Sequence, residues 1–271
     1  MTTTAPPKTF DRKTLRMKRD RAASKIHDHN FLHEKTAERL FDHMLPIKQS
    51  LHDIAVWGAH SDILCRRLTE QDRERQIYWL DLSRKLLQSQ PPIKNCHAIV
   101  ADEEYLPFAE NSLDAIVSNL TLHHVNDLKG ALIQSRMALK PGRPFLASII
   151  GGESLSELRR TLISMEMEHA AGVSPRTAPF VDIRSLGDMF QQMGFVEPVM
   201  DSETVEICYS SLSAALADIR GMGEANVLQN REGTALSRKM HEKLDAHCQA
   251  EGLNIKVEII YMLGWTAKNE I

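Results

Sequence analysis

Acidic residues at two places in the first half of the chain could hold a nucleoside. Asp81 directly follows the apolar run QIYWL, and Asp102 and Glu103 directly follow the run HAIVA. A carboxylate at the first place can accept hydrogen bonds from both hydroxyls of a ribose, and one at the second can accept an adenine amino group. The alternative for Asp81 is that it only caps the N-terminus of the next helix.

An amide and a pair of histidines follow in the segment SNLTLHHVND. Asn119 would border the same crevice, and His123 or His124 could remove a proton from an acceptor, because imidazole titrates near neutral pH. The alternative is that the two histidines are ordinary core or surface residues. Candidate site features therefore follow four successive apolar runs, at Gly58, Asp81, Asp102 and Asn119. Together they indicate a binding site more strongly than any one of them does alone.

The segment VWGAHSDIL, residues 56–64, comes before all of these and occupies the place of a glycine-rich turn. It has one glycine, Gly58, followed by Ala59 and His60. Glycines in such turns allow φ > 0 and let the backbone approach a ligand without an intervening Cβ. The segment alone is too weak a match to assign a cofactor.

Short β-branched apolar runs position these residues, and we predict strands at 53–57, 76–80, 97–101, 113–120 and 144–150. Helix-compatible stretches at 62–70, 83–90 and 127–139 separate several of them, and a helix is also predicted for 26–45. Continuous apolar strands that alternate with helices indicate a parallel sheet covered on both faces. In such a sheet, ligands bind outside the carboxyl ends of the strands, where the strand order reverses.

The pattern changes after Ile150. A helix is predicted within 151–180, a second at 182–195 with Asp182 as its N-cap, and two more strands near 196–209 and at 255–265. The polar helical stretch at 211–250 is interpreted as an inserted cap. The fold class is therefore α/β, doubly wound and mostly parallel, with helical insertions at about 151–180 and 211–250.

Composition and charge exclude several classes of protein. The 271 residues are 42% hydrophobic and 25% charged with a formal net charge of −3, which is typical of a globular protein and does not favour nucleic-acid binding. Residues 1–25 are a basic arm, which could touch an acidic partner or a membrane surface but is interpreted as solvated. Residues 26–271 form the remaining domain. The basic residues are Lys8, Arg12, Lys13, Arg16, Lys18, Arg19, Arg21 and Lys25.

Neither a membrane span nor a metal site is predicted. No apolar run reaches the ~18 residues of a transmembrane helix, and a bacterial-type cytoplasm is the expected location. The four cysteines are far apart and contain no C-x-x-C pair. His29 and His33 have i, i+4 spacing that could suit a metal, but two exposed histidines is the favoured interpretation.

The stretch 101–148, ADEEYLPFAENSLDAIVSNLTLHHVNDLKGALIQSRMALKPGRPFLAS, resembles the class I S-adenosylmethionine-dependent methyltransferases, including those of the biotin pathway. It contains the family's D-x-x-x-L-P-F, L-H-[HW] and L-K-P-G-G patterns in order, with Leu113 and Arg143 as mild departures. The resemblance implies a Rossmann-like fold with a seven-stranded sheet and a bound S-adenosylmethionine. Its cofactor residues would be Gly58, Ala59, His60, Asp81, Leu82, Asp102, Glu103, Asn119 and Leu120.

A narrower resemblance spans about Phe10 to Trp265. FDRKTLRMKRDRAA, GGESLSELR, SPRTAPF, GMGEANVLQNR and IYMLGW are similar to the complex I assembly-factor subgroup of methyltransferase-like arginine hydroxylases. This implies a respiratory complex I subunit as a protein substrate, and a location peripheral to the inner membrane through that partner. The sequence displays neither a flavin loop nor a His-x-Asp…His iron pattern, so methylation, hydroxylation and a non-catalytic client-binding role remain open.

Against the family, the loop at Gly58 is degenerate. The family pattern is approximately D-L-G-C-G-x-G, whereas this chain has Val56 in place of the acid, and His60 and Asp62 in place of the second and third glycines. Loss of one hydrogen bond to a charged group costs about 1.5–3 kcal/mol, or roughly ten- to hundred-fold in affinity. We therefore expect a weakened, altered or vacated cofactor site, with His60 where the methionine part would lie.

Overall fold

A computed structural model describes residues 8–169, 175–231, 242, 244–246 and 253–268. The helices are α1 (Arg12–Ala22), α2 (Phe31–Met44), α3 (Ile63–Gln71), α4 (Arg84–Ser89), α5 (Leu128–Ala138), α6 (Ser156–His169), α7 (Ile183–Gln192) and α8 (Leu212–Gly221). The strands are β1 (Asp53–Trp57), β2 (Gln76–Asp81), β3 (Cys96–Val100), β4 (Ala115–Asn119), β5 (Pro144–Ile150), β6 (Phe195–Tyr209) and β7 (Leu253–Thr266). Short 3₁₀ helices cover Ala23–Asp28 and Leu122–His124.

The strands form one seven-stranded sheet in the order β3-β2-β1-β4-β5-β7-β6. The first five strands of this order are parallel, and β7 pairs antiparallel with both β5 and β6. The order reverses between β1 and β4, so the crevice outside their carboxyl ends is the place where this fold binds ligands. The doubly wound, mostly parallel α/β fold that the sequence predicts is confirmed.

Buried apolar residues cover both faces of the sheet. One cluster packs α2 and α3 on β1 through Leu40, Phe41 and Leu64, and the other packs α5 and α7 on the opposite face through Leu132 and Phe190. Because the central strands β1, β4 and β5 are covered on both sides, their sequences are almost continuously apolar rather than alternating. This is why the runs are recognisable without any knowledge of the fold.

The observed elements agree with the predicted ones to within a few residues, except at the start of the helix predicted for 26–45 and in the basic arm, where no helix is predicted. The predicted helix at 26–45 is a 3₁₀ turn followed by α2, which begins after Asn30. Asp182 caps α7 as predicted, since its side chain accepts a hydrogen bond from the backbone of Ser185. Within 211–250, the structure describes residues 211–231, which contain α8, and four later residues, and the rest of the predicted cap lies outside the described residues.

The interpretation of the basic arm as solvated is wrong. Residues 12–22 form α1, which Asp11 caps by accepting a hydrogen bond from the backbone of Thr14, and Leu15 and Arg19 are fully buried. Phe10 and Leu15 pack against Val227. Arg12 and Arg19 in the described part of the arm meet acids at the strand ends, which the charge run alone does not show. In the described part of the chain, no helix combines the length and hydropathy of a membrane span.

Candidate functional site

The turn after β1 has the backbone geometry of a ligand loop although it lacks the second and third glycines. Gly58 has φ +98°, and its amide donates to the carbonyl of Leu80 at 2.9 Å. A Cβ on Gly58 would lie 2.7 Å from the carbonyl oxygen of Asn119. The next amide, that of Ala59, donates to Oδ2 of Asp81 at 3.0 Å. The remaining glycine is therefore the one that this turn requires.

Asp81 lies at the end of β2 and does not cap the following helix. Ser83 fills that role, because its hydroxyl accepts a hydrogen bond from the backbone of Leu86. Asp81 is 1% exposed, and its Oδ1 accepts a 2.7 Å hydrogen bond from the amide of Ser83. Burial raises the pKa of this carboxyl, and the neighbouring charge of Arg19 only partly opposes that rise.

Arg19 of α1 is fully buried among three carboxylates. Its guanidinium lies 3.5 Å from Asp81, 3.8 Å from Glu103 and 3.8 Å from Glu224. These separations are longer than a charge-assisted hydrogen bond, so the attraction is chiefly coulombic. The carboxylate that the sequence assigns to ribose thus faces a cation from the chain itself.

Arg12, the first residue of α1, contacts the two acids that follow β3, Asp102 and Glu103. Its Nη2 donates to Oδ1 of Asp102 at 2.5 Å and also to the carboxylate of Glu103. Its Nη1 donates to the carbonyl of His124 at 3.2 Å. Both acids assigned to the adenosine part of a cofactor are therefore paired with α1. In this structure the crevice is closed by two arginines.

Asn119 and Leu120 follow β4, and their environment is structural. The side-chain oxygen of Asn119 accepts hydrogen bonds from Thr36 at 2.6 Å and Ser148 at 3.0 Å, and its amide donates to the carbonyl of His33 at 2.9 Å. Leu120 has φ +50° and lines the cavity described below. Asn119 ties α2 to β4 and β5, and its hydrogen bonds leave it little capacity for a cofactor.

Leu82 contributes to the packing of α1 rather than to a polar contact. It is partly buried against the small apolar cluster of Phe10, Leu15, Val227 and Leu228. That cluster seats α1 over the ends of β2 and β3. Leu82 therefore helps to hold the two arginines in place.

His60 and His33 are both buried and stack on one another. Their ring centroids lie 4.0 Å apart with an interplanar angle of 9°, and neither ring nitrogen of either residue has a hydrogen-bond partner. The expectation that His33 is exposed is wrong, because α2 turns this residue toward the sheet. Burial lowers the pKa of His33 to about 4 and that of His60 well below its ordinary value.

His123 and His124 converge on Glu224, which the sequence analysis does not assign to the site. Nε2 of His123 lies 3.0 Å from Oε2 of Glu224, and Nδ1 of His124 lies 3.3 Å from the same oxygen. Burial lowers the pKa of His124 well below its ordinary value. Burial also opposes ionisation of Glu224, but the two histidines and Arg19 outweigh it and hold the pKa of Glu224 well below its usual value. The cluster therefore pairs a neutral imidazole with a carboxylate.

A cavity of about 580 Å³ opens beside this cluster. Its size is in the range of small-molecule and side-chain binding pockets. The wall includes His33, His123, His124 and Glu224, and most of the remaining wall is apolar. Asp81 and Asp102 are not part of this wall, so the cavity is distinct from the closed crevice.

Three of the unusual sequence segments meet in this cavity. GGESLSELR contributes Ser154, Leu155 and Leu158, SPRTAPF contributes Arg176 to Ala178 and Phe180, and GMGEANVLQNR contributes Met222, Glu224 to Val227 and Arg231. They come from distant parts of the chain. Glu224 is the single acidic residue of GMGEANVLQNR, and this is the signal in the sequence that points to it.

Comparisons with known proteins agree with this architecture. A family model described as a methyltransferase domain matches residues 57–146. Arginine-hydroxylase NDUFAF5, mitochondrial, from Danio rerio is 30% identical over 269 residues, which cover 94% of this chain and 82% of that protein. Malonyl-acyl-carrier protein O-methyltransferase 1 from Coxiella burnetii is 30% identical over 247 residues, covering 89% and 83%.

Solved structures show the same fold. The Haemonchus contortus phosphoethanolamine N-methyltransferase 2 superposes with a TM-score of 0.60 in its complex with phosphomonomethylethanolamine and S-adenosylhomocysteine, and of 0.57 in its complex with S-adenosyl-L-methionine. The first of these is 14% identical and covers 94% of this chain and 60% of that one. At this identity the likeness concerns the fold alone. Taken with the relatives at 30% identity, the chain belongs to the class I S-adenosylmethionine-dependent methyltransferase family, alongside the arginine-hydroxylases named NDUFAF5.

Proposed function

We propose that this chain is an enzyme that modifies a side chain of a protein client during assembly of respiratory complex I. One observation carries the proposal: three idiosyncratic segments from distant parts of the chain line the same cavity as His123, His124 and Glu224. A packed core has no need of a cavity with buried ionisable groups in its wall, whereas a site that receives a client side chain does. The chain would then act at the inner membrane through that client.

The relatives suggest which modification to expect. The Danio rerio relative is named an arginine-hydroxylase, and it matches this chain over nearly its full length. Hydroxylation of a client arginine is therefore the first candidate reaction. Methyl transfer is the second, favoured by membership of the methyltransferase family and by the retained turn at Gly58.

In this proposal the resting protein binds S-adenosylmethionine only weakly. Its adenosine part would need the carboxylates of Asp81 and Asp102, which Arg19 and Arg12 now neutralise. Binding would require α1 to move or its side chains to withdraw. The free energy that this rearrangement costs makes the binding free energy less favourable and lowers the apparent affinity. We therefore propose weak binding of S-adenosylmethionine by the resting protein, with a competent site only when α1 is displaced.

The proposal predicts a missing modification in cells that lack this chain. Complex I subunits from such cells are expected to have lost one modification on an arginine, and mass spectrometry of their peptides would locate it. A lost mass of one oxygen atom identifies hydroxylation, and a lost methylene identifies methylation. The wild-type chain should restore the modification.

A matched pair of variants makes the test specific to the cavity. Glu224→Gln removes the charge in the cavity wall with little change of shape, and it should not restore the modification. Glu206→Gln, whose carboxylate forms a surface ion pair with Lys256 at 3.3 Å, should restore it fully. Subunits that carry identical modifications with and without this chain would refute the proposal.

A further inference from the structure

We propose that His123, His124 and Glu224 bind one divalent transition-metal ion in the cavity wall. The three residues each offer a ligand atom, and all three atoms lie within 4.8 Å of one another. The set comprises two imidazoles and a carboxylate, which is typical of mononuclear zinc and non-haem iron(II) sites with open coordination positions. Metal binding is a property of the chain by itself, so it can be tested whether or not a client is modified.

The separations already resemble those around an ion. Ligands at about 2.0 Å from a tetrahedral ion lie ~3.3 Å from each other. Oε2 of Glu224 lies 3.0 Å from Nε2 of His123 and 3.3 Å from Nδ1 of His124. Both separations are therefore within a few tenths of an ångström of the distance between two ligands of one ion.

Unpartnered polar atoms provide a second, independent argument. Nδ1 of His124 and Oε1 of Glu224 are buried and have no hydrogen-bond partner, and the same is true of Nδ1 of His123. His123 is 6% exposed and His124 is 4% exposed. Burying an unpaired polar atom costs about 1–3 kcal/mol, and native proteins leave few such atoms unless another group satisfies them. An ion held by Nε2 of His123, Nδ1 of His124 and Oε2 of Glu224 would satisfy Nδ1 of His124.

The charges around the cluster are compatible with a cation. Arg19 lies 3.8 Å from Oε1 of Glu224, but it also faces Asp81 and Glu103, so two carboxylates besides Glu224 balance its charge. Oε2, the oxygen nearest the two histidines, is left for an ion.

A second triad, His33, His60 and Glu224, shares the same carboxylate. Its nearest approach to Glu224 is longer, at 3.7 Å from Nε2 of His60 to Oε1. Its two imidazoles stack face to face, and His60 is not part of the cavity wall. We therefore assign the ion to His123, His124 and Glu224, where the open coordination positions would face the cavity.

The test is metal binding by the full chain after removal of any affinity tag and stripping with a chelator. Cobalt(II) titration followed by visible absorption reports binding and coordination geometry, and calorimetric titration with zinc(II) reports stoichiometry. We expect one equivalent of either ion. Metal analysis of protein purified without oxygen should then identify the ion acquired in the cell.

Variants locate the site. Glu224→Gln and His124→Gln should each weaken binding by roughly 100-fold or more, since loss of a residue that only supports a ligand already costs ~10–100-fold. His97→Gln, on the exposed side of β3, is the control and should leave binding unchanged. Thermal unfolding of each apo variant shows whether it is folded.

Three results would overturn the assignment. One is the absence of binding by the folded wild-type chain at millimolar cobalt(II) and zinc(II). Another is binding that survives His124→Gln but is lost in His60→Gln, which would move the ion to the second triad. The third is binding unaffected by either substitution, which would place the ion elsewhere.

Discussion

Arg19→Met is expected to lower the free energy of unfolding by about 3 kcal/mol, because it removes one partner of a buried ionic network. Methionine fills a similar volume but leaves Asp81, Glu103 and Glu224 without their shared cation. Asp81 can relieve part of this by taking up a proton, since burial already raises its pKa. The loss should appear as a lower midpoint in urea unfolding with an unchanged slope.

The control for this variant lies on the same helix. Arg16→Met makes the same substitution at an exposed position. It should change the free energy of unfolding by less than about 0.5 kcal/mol. Equal stability of Arg19→Met and the wild type would mean that Arg19 is not the counter-charge of the three acids. It would also remove the physical basis for a closed crevice.

Gly58→Ala is expected to lower the free energy of unfolding by about 3 kcal/mol, because backbone strain and a steric clash coincide at this position. A residue with a Cβ pays roughly 1–2 kcal/mol in left-handed backbone geometry, and overpacking adds about 1–3 kcal/mol. The new methyl would lie 2.7 Å from the carbonyl oxygen of Asn119 and 2.9 Å from Cγ2 of Thr121. Urea unfolding again measures the difference.

Gly187→Ala is the matched control. Gly187 lies within α7, where the nearest atom to an added Cβ is Cγ of Met200 at 3.6 Å, an ordinary contact. Alanine is the better helix former, so this variant should be neutral or up to about 1 kcal/mol more stable. A Gly58→Ala variant as stable as Gly187→Ala would show that the turn relaxes, and that its glycine is not structurally required.

The sheet could be predicted from the sequence because its central parallel strands are buried on both faces. Runs such as DIAVW and PFLASII are continuously apolar, and the helices between them end at recognisable breakers. The positions of Asp81 and Asp102 at strand ends follow from the same pattern. The degenerate turn was also recognisable, because only its surroundings identify it as the first loop of the fold.

The closure of the crevice could not be predicted in this way. Arg12 lies 90 residues before Asp102, and Arg19 lies 62 residues before Asp81. The helix α1 reaches these acids only through the tertiary packing of Phe10 and Leu15. A basic run near a terminus is usually solvated, and nothing local distinguishes this one. Glu224 was hidden for the same reason, since its partners His123 and His124 are about a hundred residues earlier.

The closed crevice has a consequence for the affinity of S-adenosylmethionine. If displacement of the two arginines costs about 3 kcal/mol, the apparent affinity falls by roughly 100-fold relative to an open site. The affinity should rise when the arginines are removed, even though the protein becomes less stable. A site in which Arg12 and Arg19 instead contact the cofactor would respond in the opposite direction.

Calorimetric titration of S-adenosylmethionine into the wild type and the Arg12→Ala variant tests the closed crevice most directly. Arg12 is the better choice for this measurement, because it is less buried than Arg19 and its removal frees Asp102 while leaving Arg19 in place. Arg16→Ala is the control. The closed crevice predicts weak binding by the wild type and by the control, and binding at least about tenfold tighter by Arg12→Ala. Tight binding by the wild type that Arg12→Ala weakens would contradict it.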